Sequence, residues 1–219
     1  MKTAIVIPAY NEAKTISFVV KGVKPYVDIV IVVDDASTDE TRALALSEGA
    51  VVVKHLYNRG YDNALQTGFE KASDLNAEIV VTFDADGQHN ASIIKSFIDP
   101  IESGNADIVL GLRKKTARFS EFIFNLYGKM RYGTSDLLCG LKAYNMSVYY
   151  RHGCFSSFGS IGTELTLFGL CNKIPTITVE IDINKNIRKS QFGTVISSNI
   201  KIIKALINII LIDIKNNCK

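Results

Sequence analysis

Ile79-Val-Val-Thr-Phe-Asp-Ala-Asp-Gly-Gln-His89 runs from a short apolar stretch straight into two carboxylates, a glycine and an amide. Such a run, with no polar alternation, predicts a strand covered on both faces. Four more runs of this kind occur at Ala4–Ile7, Ile29–Val33, Val51–Val53 and Ile108–Leu110, separated by stretches long enough for helices. Strands alternating with helices predict a mostly parallel sheet inside a three-layer α/β/α sandwich. In an open parallel sheet, ligands collect beyond the carboxyl ends of the strands. Three of these ends are unusually polar: Pro8-Ala-Tyr-Asn-Glu12, Asp34-Asp-Ala-Ser-Thr-Asp39 and Asp84-Ala-Asp-Gly-Gln-His89. They are expected to converge on one cleft.

The 219 residues, 47% hydrophobic and 21% charged, suit one compact domain over 1–219. The net charge of +3 comes from 25 basic and 22 acidic residues that are mixed along the chain, a balance that argues neither for nor against nucleic acid; no nucleic-acid partner is expected. Cys139, Cys154, Cys171 and Cys218 form no CxxC pair and lie too sparsely for a disulfide scaffold or a zinc site. No signal-peptide-like stretch precedes the first run, and the longest uncharged apolar run, Ala205–Ile212, is far below the roughly 20 residues of a spanning helix. A cytoplasmic setting is expected, at most peripheral on the inner membrane face.

Asp84 and Asp86 can both turn toward one hard divalent cation if Gly87 bends the chain, and Gln88 can add a neutral oxygen. An isolated Asp-x-Asp more often starts a loop and caps a helix; its place at a strand end favours the metal. Asp34 and Asp35 suit either a nucleoside contact or a turn and cap. Tyr10 suits either the cleft or the core, and Glu12 could simply be a first-turn acid. Helix starts are legible in the capping-box spacing Ser37-Thr-Asp-Glu40 and at Asn90, ahead of 91–101.

Together, Val6-Ile-Pro-Ala-Tyr-Asn-Glu12, Val33-Asp-Asp-Ala-Ser-Thr-Asp-Glu-Thr41, Asn58-Arg-Gly-Tyr61, Asp84-Ala-Asp-Gly-Gln-His89 and Gly111-Leu-Arg113 resemble family 2 of the inverting glycosyltransferases, with the GT-A fold. Within that family, Asp136-Leu-Leu-Cys-Gly-Leu-Lys-Ala-Tyr144 and Gly162-Thr-Glu-Leu165 look most like the dolichyl- or polyprenyl-phosphate mannose and glucose synthases. The resemblance implies a UDP- or GDP-sugar donor and Mg²⁺ or Mn²⁺ as cofactor. It places Pro8, Tyr10, Glu12, Asp34, Asp35, Asp84 and Ala85 on the nucleotide, and Asp84, Asp86 and Gln88 on the metal. Arg113 would meet the phosphates or the acceptor. Residues 1–113 would then be a donor half and 114–193 an acceptor half.

Two departures fall in the loops: Asp62 stands where the family often has glycine, and Gln191 replaces a lysine in Arg188-Lys-Ser-Gln-Phe-Gly193. Arg188, Lys189 and Ser190 remain acceptor candidates, with an ordinary basic loop as the alternative. So do Lys142, otherwise a surface lysine, and Glu164, which would face either solvent or the site from a helix expected over 161–170. Asp136 is either a general base or a turn residue. A glycan hydroxyl would need a base, whereas polyprenyl phosphate is already ionised. His89 could line the cleft; His55 and His152 have no motif support. A C-terminal helix over 194–219 carries an apolar stripe that must be buried on the domain, in a homodimer or on a membrane surface. A nucleotidyltransferase or an oxidoreductase would need glycine-rich loops near the first strand that this sequence lacks. A noncatalytic nucleotide-sugar binder would carry the same donor residues.

Overall fold

The computed structural model describes residues 1–114, 119–157, 159–182 and 195–216, except the side chains of 195–198 and 212–216. The strands are β1 (Thr3–Ala9), β2 (Ile29–Asp34), β3 (Val51–Lys54), β4 (Ile79–Thr82), β5 (Ile108–Arg113), β6 (Lys142–Asn145) and β7 (Thr176–Ile181). The helices are α1 (Ile16–Val23), α2 (Thr41–Ser47), α3 (Tyr61–Asp74), α4 (Ile94–Glu102), α5 (Phe119–Tyr132), α6 (Met146–His152), α7 (Glu164–Cys171) and α8 (Val195–Asn216). The strands form one sheet in the order β3-β2-β1-β4-β6-β5-β7.

Both faces of the sheet are apolar because successive side chains point to opposite layers. Along β1, Ala4 and Val6 pack with Leu65 and Phe69 of α3, Phe124 of α5 and Leu165 of α7. Ile5 and Ile7 pack on the other side with Ile16 and Val20 of α1, Ala45 of α2 and Phe97 of α4. The predicted sandwich is therefore present.

The sheet is parallel except at β6, which runs antiparallel to both β4 and β5. Thr82 and Leu110 both register with Lys142, so the start of β6 lies beside the carboxyl ends of its neighbours. Its four residues were too short and polar-flanked to stand out as a strand.

Local expectations were met unevenly. Asn90 does cap, its side chain accepting from Ser92 N at 3.0 Å, but a 3₁₀ turn over Ala91–Ile93 precedes α4. At α2 the N-cap position is Glu40, which makes no side-chain cap bond; the carboxylate before it, Asp39, accepts from Thr41 N at 3.0 Å. Ser37 instead accepts from Asn11 N at 3.0 Å, joining the β1 and β2 ends. The helix expected from 161 begins at Glu164, because Ile161 and Gly162 both hold positive φ (55° and 68°).

The C-terminal helix exists and packs on the domain through Ile202, Ala205, Leu206 and Ile209, each large side chain contributing about 1.5–3 kcal/mol of burial. Ile200, Ile203, Ile207 and Leu211 form a second stripe that stays exposed. On α5, Phe119, Phe122, Leu126 and Met130 repeat the pattern at helical spacing. Cys139 and Cys154 are free thiols, whereas Cys171 is disulfide-bonded, a bridge that the cysteine spacing did not suggest.

Candidate active site

The ends of β1 and β2 are fastened together residue by residue. Asn11, in a left-handed conformation at φ 54°, accepts from Thr38 N at 2.9 Å. Glu12 N donates to Thr41 Oγ1 at 2.7 Å, and Ala13 N donates to Asp39 at 3.1 Å. Glu12 is buried, and its carboxylate accepts from Thr15 Oγ1 at 3.1 Å. Tyr10 is 43% exposed at the mouth of this junction, which removes the core alternative for its ring. Pro8 sits within β1, registered with Val33.

Asp34 and Asp35 are both buried, but they are used differently. Asp35 accepts from Arg59 N and Gly60 N, each at 2.8 Å, and pairs with His55 Nδ1 at 2.7 Å. It thereby anchors the Asn58-Arg-Gly60 loop to the end of β2. Asp34 Oδ1 accepts from Ser37 N at 2.9 Å, while Oδ2 is buried with no partner. A buried carboxylate oxygen without a donor is costly, so Asp34 is the acid here best placed to gain from a ligand.

Beyond β4, Gly87 takes φ 74° and the chain turns as expected. Asp86 accepts from Gln88 N at 2.9 Å. Asp84 accepts from Tyr61 OH at 3.4 Å, and His89 Nε2 lies 3.6 Å from its other oxygen. Burial alone would raise the Asp84 pKa, but the contact with His89, the charge of Arg113 and the Tyr61 hydroxyl together hold it below its ordinary value. A Cβ at Gly140 would overlap both carboxylate oxygens of Asp84, so only glycine lets the β6 approach pass this close. Carboxylate and amide oxygens at a glycine-bent strand end suit a hard divalent cation. Asp84, Asp86 and Gln88 therefore fit Mg²⁺ or Mn²⁺. Ala85 turns its side chain into the core, which leaves only its backbone for a ligand.

Because β6 enters from this side, the Asp136–Gly140 segment lies against Asp84 and Arg113. Asp136 is buried and holds Arg113 through four bonds: from Arg113 N at 2.8 Å, from Nε at 3.1 and 2.8 Å, and from Nη2 at 2.5 Å. Glu121 Oε2 lies 3.6 Å from the same guanidinium. Burial disfavours the Arg113 charge, but the bonds to Asp136 outweigh it and the pKa rises. Asp136 is thus neither an unengaged base nor a simple turn residue.

Lys142 is buried, not a surface lysine, and donates to Gly162 O at 2.5 Å. Burial lowers its pKa to about 8, against the opposing pull of Cys139, Asp136, Asp62 and Asp84. Asp62 binds the N–H groups of Ile161, at 3.0 Å, and Gly162, at 2.5 Å. The residue that departs from the family pattern therefore braces the loop ahead of α7. Glu164 is turned inward, where Ser157 and His152 hold it. Arg188, Lys189, Ser190 and Gln191 lie outside the described residues.

All three histidines pair with carboxylates singled out from the sequence: His55 with Asp35, His89 with Asp84 and His152 with Glu164. Only His89 carried a sequence signal, since the other two reach their partners across the fold. Tyr61 and Gly140 also neighbour Asp84, and nothing in the local sequence around either of them points to that contact.

The model of glycosyl transferase family 2 matches residues 4–158, and the chain belongs to this family. A UDP-N-acetylglucosamine–dolichyl-phosphate N-acetylglucosaminyltransferase of Methanococcus voltae is 37% identical over 132 residues, 52% of this chain and 53% of that protein. The polyprenol monophosphomannose synthase of Mycolicibacterium smegmatis is 29% identical over 174 residues, 67% of this chain and 63% of that protein. The chain spans less than two thirds of the length of each of these relatives. Crystalline glucosyl-3-phosphoglycerate synthase from Mycobacterium tuberculosis, in complex with Mn²⁺, UDP and phosphoglyceric acid, superposes with a TM-score of 0.77 at 19% identity. The match covers 94% of this chain and 78% of that one, and it establishes the GT-A fold.

Proposed function

We propose that this chain transfers a hexose-type sugar from a UDP- or GDP-sugar to polyprenyl phosphate, with inversion at the anomeric carbon. The observation that carries the choice of acceptor is the Arg113–Asp136 pair. Both Asp136 oxygens are already taken by Arg113, so the cleft's best base candidate is engaged. A phosphate acceptor needs no base, because it is ionised at neutral pH. The relatives named for dolichyl or polyprenyl phosphate support the same choice.

In this reading the nucleoside sits against Pro8, Tyr10, Glu12, Asp34 and Asp35, with the Ala85 backbone nearby, and Asp34 Oδ2 supplies an acceptor for a base or ribose donor. Asp84, Asp86 and Gln88 hold Mg²⁺ or Mn²⁺. A bound cation stabilises the negative charge of the departing diphosphate. Arg113, fixed in place by Asp136 before substrate arrives, adds positive charge without reorganising. Lys142 offers a second cation to the acceptor phosphate, and the Asp62-braced loop and Glu164 shape its surroundings.

Incubation with labelled nucleotide-sugars, Mn²⁺ and polyprenyl phosphate is expected to give a lipid-linked sugar. Transfer to a glycan hydroxyl with none to the lipid phosphate would replace this acceptor; no turnover of any donor would sink the enzyme reading.

The exposed stripes on α5 and α8 fit a chain that meets its lipid at a bilayer surface. Lys129 and Arg131 on α5, and Lys201 and Lys204 on α8, could add attraction to anionic headgroups. Phe119 and Met130 are 74% and 80% exposed, so Phe119→Glu with Met130→Glu should leave the fold intact. Cosedimentation with anionic vesicles is expected to fall several-fold in this pair. Unchanged cosedimentation, or none in the parent, argues for a partner chain on these stripes instead.

A further inference from the structure

His152, Cys154 and Glu164 lie around the loop that joins α6 to α7, and their ligand atoms all fall within 4.8 Å of one another. We infer that these three side chains form a binding site for a zinc-class transition-metal ion, separate from the Asp84–Asp86 pair.

The spacing supports it. Tetrahedral zinc, with arms of about 2.0 Å to nitrogen and oxygen and about 2.3 Å to sulfur, has N···O and S···O edges of roughly 3.3 and 3.5 Å. Here His152 Nε2 stands 3.2 Å from Glu164 Oε1, and Cys154 Sγ stands 3.8 Å from the same oxygen. One ion at their centre meets all three groups with small side-chain adjustments.

The ligands are held by neighbours, as metal ligands usually are. The His152 ring stacks on Phe168, with centroids 4.5 Å apart and planes at 27°. Glu164 accepts from Ser157 N at 2.5 Å and from Ser157 Oγ at 2.6 Å, while its own N–H donates to Ser160 Oγ at 3.0 Å. Gly153, at φ 89°, makes the turn that brings Cys154 back beside His152.

The donor set separates the two sites chemically. Imidazole, thiolate and carboxylate select a borderline ion such as Zn²⁺, whereas oxygen donors alone suit Mg²⁺ and Mn²⁺. Binding would release the Cys154 thiol proton to solvent and leave a fourth position for water. Thiolate and carboxylate together balance the dication. Such an ion would tie the end of α6 to the start of α7. Between them runs the loop whose Gly162 contacts both Lys142 and Asp62. The expectation that the cysteines hold no zinc is at odds with this site, because its ligands are of three residue types and Glu164 joins His152 and Cys154 only through the fold.

Cobalt is the probe, because thiolate ligation gives it a ligand-to-metal charge-transfer absorption. Titrating chelator-treated full chain with Co²⁺ is expected to raise this band to saturation at one equivalent and to lose it on adding Zn²⁺. The band should persist in Asp86→Ala, vanish in Cys154→Ser and require at least tenfold more cobalt in His152→Gln, with circular dichroism confirming that each variant is folded. Absence of the band in the parent chain, or its survival in folded Cys154→Ser, overturns the proposal. Neither outcome touches the glycosyl-transfer reading, which the lipid assay tests separately.

Discussion

Asp86→Ala is expected to lower kcat/KM for donor turnover by about 10³-fold while leaving the thermal midpoint nearly unchanged. The size follows from the several kcal/mol of charge stabilisation that a cation gives a leaving group, at about 1.4 kcal/mol per factor of ten in rate. Stability should hold because Asp86 is only part-buried and the bond it accepts from Gln88 N lies within its own turn. In the proposed site, alanine would remove one carboxylate from a bound cation. Donor hydrolysis measured across a Mn²⁺ titration checks it. An Asp86→Ala enzyme that keeps parental turnover at every Mn²⁺ concentration would remove the metal from Asp86. Recovery only at high Mn²⁺ would mean weakened but intact coordination.

Asp136→Ala should act on stability and activity together, and for one reason. It leaves the Arg113 guanidinium, whose side chain is 16% exposed, without its main partner. Breaking a buried ion pair from one side costs about 3–5 kcal/mol. For a domain of this size that corresponds to a fall of roughly 6–20 °C in Tm. Turnover should drop as well, because a displaced Arg113 no longer meets the developing charge. The discriminating readout is the pH profile of kcat measured in a variant that folds, such as Asp136→Asn. If Asp136 positions Arg113, the profile keeps its shape and only its height falls. If Asp136 is a general base, the limb that rises with pH disappears, and the phosphate-acceptor argument loses its main support.

The fold was legible largely because its strongest signals are local. Ile79–Phe83 and its sister runs name the parallel strands, and the acids and glycine that follow them mark the cleft. What sequence did not reveal was set by contacts across long separations. β6 is four residues long, and its direction follows from pairing with strands that lie far before it in the chain. The burial of Lys142 follows from that pairing, so a lysine that looked solvent-facing became part of the interior. His55 and His152 carry no pattern of their own. They matter only because folding brings them to Asp35 and Glu164. Asp62 illustrates the opposite case: it was visible as a departure from the family, but its two backbone partners lie about a hundred positions away.

The place of β6 also governs how the chain can be assembled. The stretch through Arg113 looks like a self-contained donor half, yet β5 has no strand of that half beside it; its neighbours are β6 and β7. On a ribosome, β5 therefore emerges as an orphan edge and waits for residues 142–145 to be made before it can join β4. Closure of the sheet and completion of the site around Asp84 and Arg113 are then a single event. A fragment cut at the apparent boundary would carry every donor motif and still lack the strand that lets Arg113 find its place.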